Sequence, residues 1–255
     1  MIKFDNVNKV WPNGKHALKN INLEIEDGEF VAIIGLSGAG KTTLLKTINQ
    51  INTITSGEII IDFYNKYEKK EEFNVHKIKG KKLIRLRQKI GLMSQEYNNI
   101  EKLSVLKNVL NARISRINFW RSLTGIFSRY DKEIALKSLE KLNLLEYAYA
   151  RVENLSGGQQ QRIALARTIS QHPALIIADE PVSALDPILA NQVMNDFALI
   201  NKTDKITVII NIHHVELAKK YATRIIGVKD GEIVFNGPSK DLNEEKLKLI
   251  YGENY

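Results

Sequence analysis

The chain has 255 residues, 44% apolar and 26% charged, enough for a sizeable core, and no apolar run approaches the roughly 18 to 20 residues that cross a bilayer. With no cysteine, disulfide staples and thiolate metal sites are excluded, and Met1 to Val10 carries no apolar h-region, so the expectation is a cytosolic protein whose membrane role, if any, comes through a partner. The net charge of +8 raises the question of nucleic acid, but residues 62 to 90 hold ten Lys/Arg against four Asp/Glu, so most of the excess sits in one stretch.

The predicted elements begin with strands. Ile21, Leu23 and Ile25 alternate with polar residues, the pattern of a sheet exposed on one face, and Asp27-Gly28 supplies a tight turn. Phe30 to Ile34 is apolar at every position, as a strand covered on both faces must be. Gly35-Leu36-Ser37-Gly38-Ala39-Gly40-Lys41-Thr42-Thr43 follows at once, and Leu44, Leu45 and Ile48 then recur at helical spacing. Strand, glycine loop and helix in that order are the context that G-x-x-x-x-G-K-[ST] requires. The glycines let successive N–H groups converge on phosphate oxygens at the positive end of the helix. Lys41 would reach the β and γ phosphates, and the Thr42 hydroxyl would ligate Mg²⁺. A dinucleotide loop is a poorer reading, because Gly35, Gly38 and Gly40 are not spaced as G-x-G-x-x-G and Lys41 would have no task in it.

The Lys-rich stretch 62 to 90 interleaves Phe63, Tyr64, Tyr67 and Phe73, a mixture that single-strand binders use. A solvated loop and helix, contact with anionic lipid headgroups and a nucleic-acid surface are the three readings open for it. From about 96 to 160 the pattern turns helical, with Ile134, Leu136, Leu139, Leu142 and Leu145 forming a stripe. Trp120 and Phe127 in this part read either as packing or as a docking face. Leu155-Ser156-Gly157-Gly158-Gln159 opens a further helical run, and a serine with two glycines at a helix start implies a second anion-binding nose with free N–H groups and an outward hydroxyl. Two noses and one lysine-bearing loop make sense if the second nose serves another subunit, which points to a head-to-tail dimer.

Strand signals return at 174 to 178 and 206 to 210, separated by a helical stretch from Ile188 to Ile200, the βαβ alternation of a mostly parallel sheet. Asp179-Glu180 follows the first of these strands. Next to a phosphate loop, Asp179 can hold the Mg²⁺ shell while Glu180 polarises a water in line with the γ phosphate. Asn201-Lys202-Thr203-Asp204 fits the N-K-x-D guanine-reading motif but follows a helical stretch instead of a strand, so a polar turn is the plainer reading. His213, His214 and Glu216 lack the H-E-x-x-H spacing of a metal site.

With these residues in view, the chain resembles the nucleotide-binding subunits of ABC transporters over essentially its whole length. Leu155 to Gln159 matches that family's LSGGQ signature without a mismatch; Gln95 after Leu92-Met93-Ser94 is similar to its Q-loop glutamine, Ser183-Ala184-Leu185-Asp186 to its D-loop, and His213 to its H-loop histidine. The resemblance implies an α/β fold: a P-loop, RecA-like ATPase core with an N-terminal antiparallel β subdomain, comprising 1–95 and 161–255, and an inserted α-helical subdomain, 96–160. It implies ATP and Mg²⁺ as ligands. Trp11 would stack on adenine, Gly35, Ser37, Gly38, Gly40, Lys41, Thr42 and Thr43 would hold the phosphates, and Thr42, Gln95 and Asp179 would surround Mg²⁺. Glu180 would be the base, His213 would contact the γ phosphate, and Ser156, Gly157, Gly158 and Gln159 would reach the ATP of a second copy, with Ser183 and Asp186 in the D-loop. Family members usually carry Tyr where Trp11 stands and an acidic residue or Gln where His214 stands. Implied partners are that second copy, transmembrane permease subunits and, indirectly, a solute-binding protein, with no nucleic acid, at the cytoplasmic face of the membrane. Trp11-Pro12-Asn13-Gly14, the segment Trp120 to Phe127, and the runs Arg224 to Val228 and Glu232 to Pro238 look most like the phosphonate-importer ATPases. A soluble ABC-type ATPase acting on nucleic acid or ribosomes is the alternative from another class; a small-molecule kinase would leave Ser156 to Gln159 without a purpose.

Overall fold

The computed structural model describes residues 1–64, 69–117 and 125–253. Strands β1 (Ile2–Val10), β2 (His16–Ile25), β4 (Ser56–Tyr64) and β5 (Lys70–Asn74) form an antiparallel sheet in the order β2-β1-β4-β5. A second sheet holds β3 (Phe30–Ile34), β6 (Ile90–Met93), β7 (Leu175–Asp179), β8 (Thr207–Asn211), β9 (Arg224–Lys229) and β10 (Glu232–Pro238), in the order β10-β9-β3-β8-β7-β6. All neighbours in it are parallel except β10, which closes one edge as an antiparallel hairpin with β9. The Asp27-Gly28 turn exists, with Gly28 at φ 80°, but β2 and β3 belong to different sheets, so the chain crosses between layers there instead of making a hairpin.

Why β3, β7 and β8 read as unbroken apolar runs is plain from their two faces. Phe30, Ala32 and Ile34, with Ile176, Ala178, Val208 and Ile210, point into one core; Val31, Ile33, Leu175, Ile177 and Ile209 point into another. Each of these side chains other than Ala32 and Ala178 contributes about 1.5–3 kcal/mol by leaving water. The first core is covered by α3 (Val105–Asn111), α4 (Arg129–Lys141), α5 (Gly157–Ile169), α6 (Pro187–Asp204), α7 (Val215–Tyr221) and α8 (Glu244–Tyr251). The second lies under α1 (Lys41–Ile48), α2 (Gly80–Lys89) and the antiparallel sheet. The P-loop core with an antiparallel β layer and helices inserted between β6 and β7 is the architecture the sequence implied.

The Lys-rich stretch departs from the expected loop and helix. Its first part is the β4–β5 hairpin, where Phe63 and Phe73 are buried edge to face with centroids 6.1 Å apart, and only its second part is the helix α2. Those two rings are therefore core and no platform for bases; Tyr67 lies outside the described residues. Lys70 pairs with the buried Asp62, and Arg85 and Lys89 share Glu71, so part of the charge is locally matched and a net positive excess remains. Asn201-Lys202-Thr203-Asp204 is the last turn of α6 and not a turn beyond it; the Asn201 amide donates to the Gly28 and Ile206 carbonyls, tying that helix end to the strands on either side.

Candidate nucleotide site

At the C-terminal edge of the parallel sheet the chain leaves β3 into the glycine loop. Gly35 sits at φ +148°, where a Cβ would collide with the Val228 carbonyl, and Gly40 at φ +112°, where it would collide with that of Ala17; only glycine lets the loop lie this close to its neighbours. Gly40 is the N-cap of α1 and supplies no side-chain cap, so the N–H groups of Lys41, Thr42 and Thr43 start the helix without an acceptor of their own. The loop thus offers aligned donors and the positive helix end to an anion.

Lys41 is buried, its ammonium donating to the Gly35 and Leu36 carbonyls at 2.9 Å each. Burial pushes its pKa below the usual lysine range, against the opposing pull of the Glu180 and Asp179 charges. A cation stored on two carbonyls of its own loop can exchange them for phosphate oxygens without moving far.

Asp179 ends β7, yet β8 lies between β7 and the loop-bearing β3. The carboxylate nevertheless spans the gap: Thr42 Oγ1 donates to Asp179 Oδ1 at 2.8 Å, and Lys46, one turn along α1, stands 3.5 Å from Asp179 Oδ2. Glu180 follows at φ 51°, an unusual backbone for a non-glycine residue. That turn is pinned by the Glu180 N–H on the Asn211 carbonyl at 3.0 Å and by Ser183 Oγ donating to the Glu180 carbonyl at 3.1 Å. The Glu180 side chain meets His213 Nε2 at 2.7 Å, while His214 is exposed at the N-cap of α7.

A cleft gathers Trp11, Lys15, Ala17, Ser37, Gly38, Gly40, Lys41, Thr42, Thr43 and Glu180. Trp11 reaches it from the turn after β1, whose shape is set by Trp11 N–H on the Lys15 carbonyl and Gly14 N–H on the Trp11 carbonyl. Lys9 places its ammonium 4.4 Å from the indole centroid, and Lys9 is itself buried. One edge of the cleft is thus aromatic and the floor is a row of phosphate-type donors.

The remaining expected residues are not brought into this cleft. Gln95 is exposed just past β6; because Met93 is in register with Ala178, it leaves the sheet at the same edge as Asp179 and Glu180. Ser156, Gly157, Gly158 and Gln159 stand at the start of α5, beside Tyr97, Leu185 and Leu189. The expected free donors there are fewer than the sequence suggested, since Ser156 and Gln159 form a reciprocal capping box: Ser156 N–H donates to Gln159 Oε1 at 2.9 Å and Gln159 N–H to Ser156 Oγ at 3.3 Å. The Gly157 and Gly158 N–H groups and the Ser156 hydroxyl proton are what the tip can still offer. Asp186 caps α6, accepting the N–H groups of Ile188 and Leu189. The loop after β6 is strapped to α5: Arg167 donates to the carbonyls of Tyr97, at 2.7 Å, and Asn98, while Asn99 Nδ2 donates to the Gln160 carbonyl at 2.8 Å.

Sequence reasoning missed Lys9, Lys15, Lys46, Asn211 and the Arg167 strap. Lys46 was findable, four residues after Thr42 on one face of the helix; Asn211 was announced only by a polar residue closing the run Thr207 to Ile210. Phe127 packs partly buried against the core beside the exposed Ile126. Trp120, with the segment through Thr124, lies outside the described residues.

Comparison with known proteins places this geometry. The family model "ABC transporter" matches residues 18–183. Two relatives bear the name phosphonates import ATP-binding protein PhnC. That of Mesoplasma florum is 67% identical over 253 residues, covering 99% of this chain and 100% of the relative. That of Mycoplasma mycoides subsp. mycoides is 69% identical over the same shares. Among solved structures, the dimeric post-hydrolysis state of the ATP-binding cassette MJ0796 with ADP and Pi superposes with a TM-score of 0.76 at 33% identity, covering 95% of this chain and 100% of that one. CbiO1 of Clostridium perfringens, described as part of the ABC transporter complex cbiONQ, gives 0.79 at 26% identity, covering 96% and 92%.

Proposed function

Since the chain belongs to the ABC transporter family, we infer that it is the ATP-binding, ATP-hydrolysing subunit of an importer whose cargo is a phosphonate or a related phosphorylated organic solute. The observation that carries the catalytic part is the 2.8 Å link between Thr42 Oγ1 and Asp179 Oδ1 at the end of the glycine loop, with Glu180 lining the same cleft. The cargo class is carried over from the relatives' names.

In this reading the adenine stacks on Trp11, while the loop N–H groups and Lys41 hold the triphosphate. The donors at the loop's end are hard oxygens, a hydroxyl and a carboxylate, which suit Mg²⁺. Thr42 and Asp179 would hold it, with Gln95 at the same sheet edge, and the bound ion would offset the negative charge of the nucleotide's phosphates. Glu180 takes the proton of the attacking water, and His213, at 2.7 Å, orients that carboxylate and faces the γ phosphate. The phosphates leave one side of this cradle open. A second copy, packed head to tail, would close it with its Ser156 hydroxyl and its Gly157 and Gly158 N–H groups, in keeping with the dimeric arrangement named for the MJ0796 cassette. Its Ser183 and Asp186 would lie along the same interface.

Residues 96–160 are proposed as an arm that carries this tip and meets the membrane permease subunits, and 1–95 with 161–255 as the core. No helix among the described residues is long and apolar enough to cross a membrane, so the chain is proposed to sit on the cytoplasmic face, held by permease subunits that also receive a solute-binding protein. Purification from membranes tests the whole: co-purifying hydrophobic subunits and ATP turnover stimulated in their presence support it, whereas recovery with rRNA or DNA favours the soluble nucleic-acid ATPase.

A further inference from the structure

Asn211 closes β8, the strand lying between the loop-bearing β3 and the carboxylate-bearing β7, in register with Ile33 on one side and Asp179 on the other. It is wholly buried. Two residues back on the same face, Ile209 packs into the apolar core, and an aliphatic side chain is what burial alone would select at the next position. The amide instead donates through Nδ2 to Asp179 Oδ1 at 2.7 Å, and the same nitrogen lies 3.3 Å from Thr42 Oγ1. Because a carboxylate oxygen only accepts, the NH₂ group faces Asp179 and the amide oxygen points elsewhere. That oxygen, Oδ1, is buried with no hydrogen-bond partner. An orphaned acceptor is costly to bury, so packing gives no reason for an asparagine here. The backbone of the same residue accepts the Glu180 N–H, the bond that pins that residue at positive φ.

We propose that Asn211 is a positioning residue for the metal–nucleotide site. Its amide holds the Asp179 carboxylate and the Thr42 hydroxyl at a fixed spacing before any cation arrives, while its backbone holds Glu180. Asp179 Oδ2 remains toward Lys46, so the two carboxylate oxygens are oriented by different partners and the carboxylate cannot rotate freely. The proposal rests on the reading of Thr42 and Asp179 as the Mg²⁺ ligands.

The test is ATP affinity by calorimetry in EDTA and across a Mg²⁺ titration, with Mn²⁺ paramagnetic resonance as an independent measure of metal bound with ATP. Asn211→Val removes the amide and suits a buried strand, so the melting temperature is expected to stay or rise and metal-free ATP affinity to stay within about twofold, while the Mg²⁺ and Mn²⁺ concentrations for half-saturation rise by about 10- to 100-fold, the worth of a hydrogen bond to a charged group. If that variant does not fold, Asn211→Ser is measured, with the same split expected between metal-free and metal-dependent binding. Unchanged metal dependence, or equal loss of both affinities, overturns the proposal. Wild-type protein whose ATP affinity ignores Mg²⁺ overturns the underlying ligand assignment as well, and is recognised without any variant.

Discussion

Glu180→Gln isolates the chemistry from the fold. The amide has the same length as the carboxylate, can keep the 2.7 Å contact with His213 in either imidazole tautomer, and leaves untouched the two backbone bonds that set Glu180 at φ 51°. Packing and nucleotide contacts are then unchanged, and what is lost is a group able to accept a proton. A positioned general base is worth about 10²- to 10⁴-fold, or roughly 2.7–5.4 kcal/mol of barrier at about 1.36 kcal/mol per decade. Single-turnover release of phosphate at saturating Mg-ATP should fall by that factor while ATP affinity stays within twofold, and the variant should accumulate as an ATP-bound dimer on size exclusion. His213 supplies an internal control. His213→Ala should slow wild-type turnover by a larger factor than it slows Glu180→Gln, because the part of its effect that runs through the base is already lost and only its contact with the γ phosphate remains. A Glu180→Gln protein within tenfold of wild type, or fully additive losses in the double variant, would refute the assignment of the base.

Three further outcomes follow from the same geometry. Lys41→Ala should raise the ATP dissociation constant or abolish turnover, since it removes the ammonium stored on Gly35 and Leu36; unchanged binding and rate would take the loop out of the mechanism. Trp11→Ala should weaken ATP by about 5- to 150-fold, the usual worth of about 1–3 kcal/mol for stacking one base, and leave inorganic triphosphate unaffected; equal affinity for ATP, measured by calorimetry, would show that the base lies elsewhere. Gln95→Ala should impair transport in membranes more than basal ATP hydrolysis, and equal losses in the two assays would count against a relay through this exposed loop.

What the sequence disclosed and what it hid separate along physical lines. Strands β3, β7 and β8 were legible because burial on both faces demands unbroken apolar runs, and the glycine loop because Gly35 and Gly40 occupy backbone positions closed to other residues. The β4–β5 hairpin was obscured by its charge: a strand at the sheet margin can carry Lys70 and Glu72 toward solvent and seat a half-buried Glu71 against Arg85 and Lys89, while burying Phe73 alone. The strand order was also hidden, since β8 follows β7 in sequence yet inserts between it and β3. The Ser156–Gln159 box matches a local capping pattern that the phosphate reading had overshadowed, and Lys9 beneath Trp11 depends on strand alternation two residues apart, too short a signal to distinguish from chance.

The strap on α5 has a mechanical corollary. Arg167 grips the loop after β6 ten residues from Gly157, so the helix between them is a beam of about 15 Å, stiff because all its backbone bonds are internal. Anything that tugs on Tyr97 or Asn98 tilts that beam, and a tilt of about ten degrees swings its far end by roughly 2.6 Å, close to the length of one hydrogen bond. A nudge delivered at the exposed loop thereby reaches the glycine end by two routes, along the helix from Arg167 and directly through Tyr97 beside Gly157 and Asn99 on Gln160.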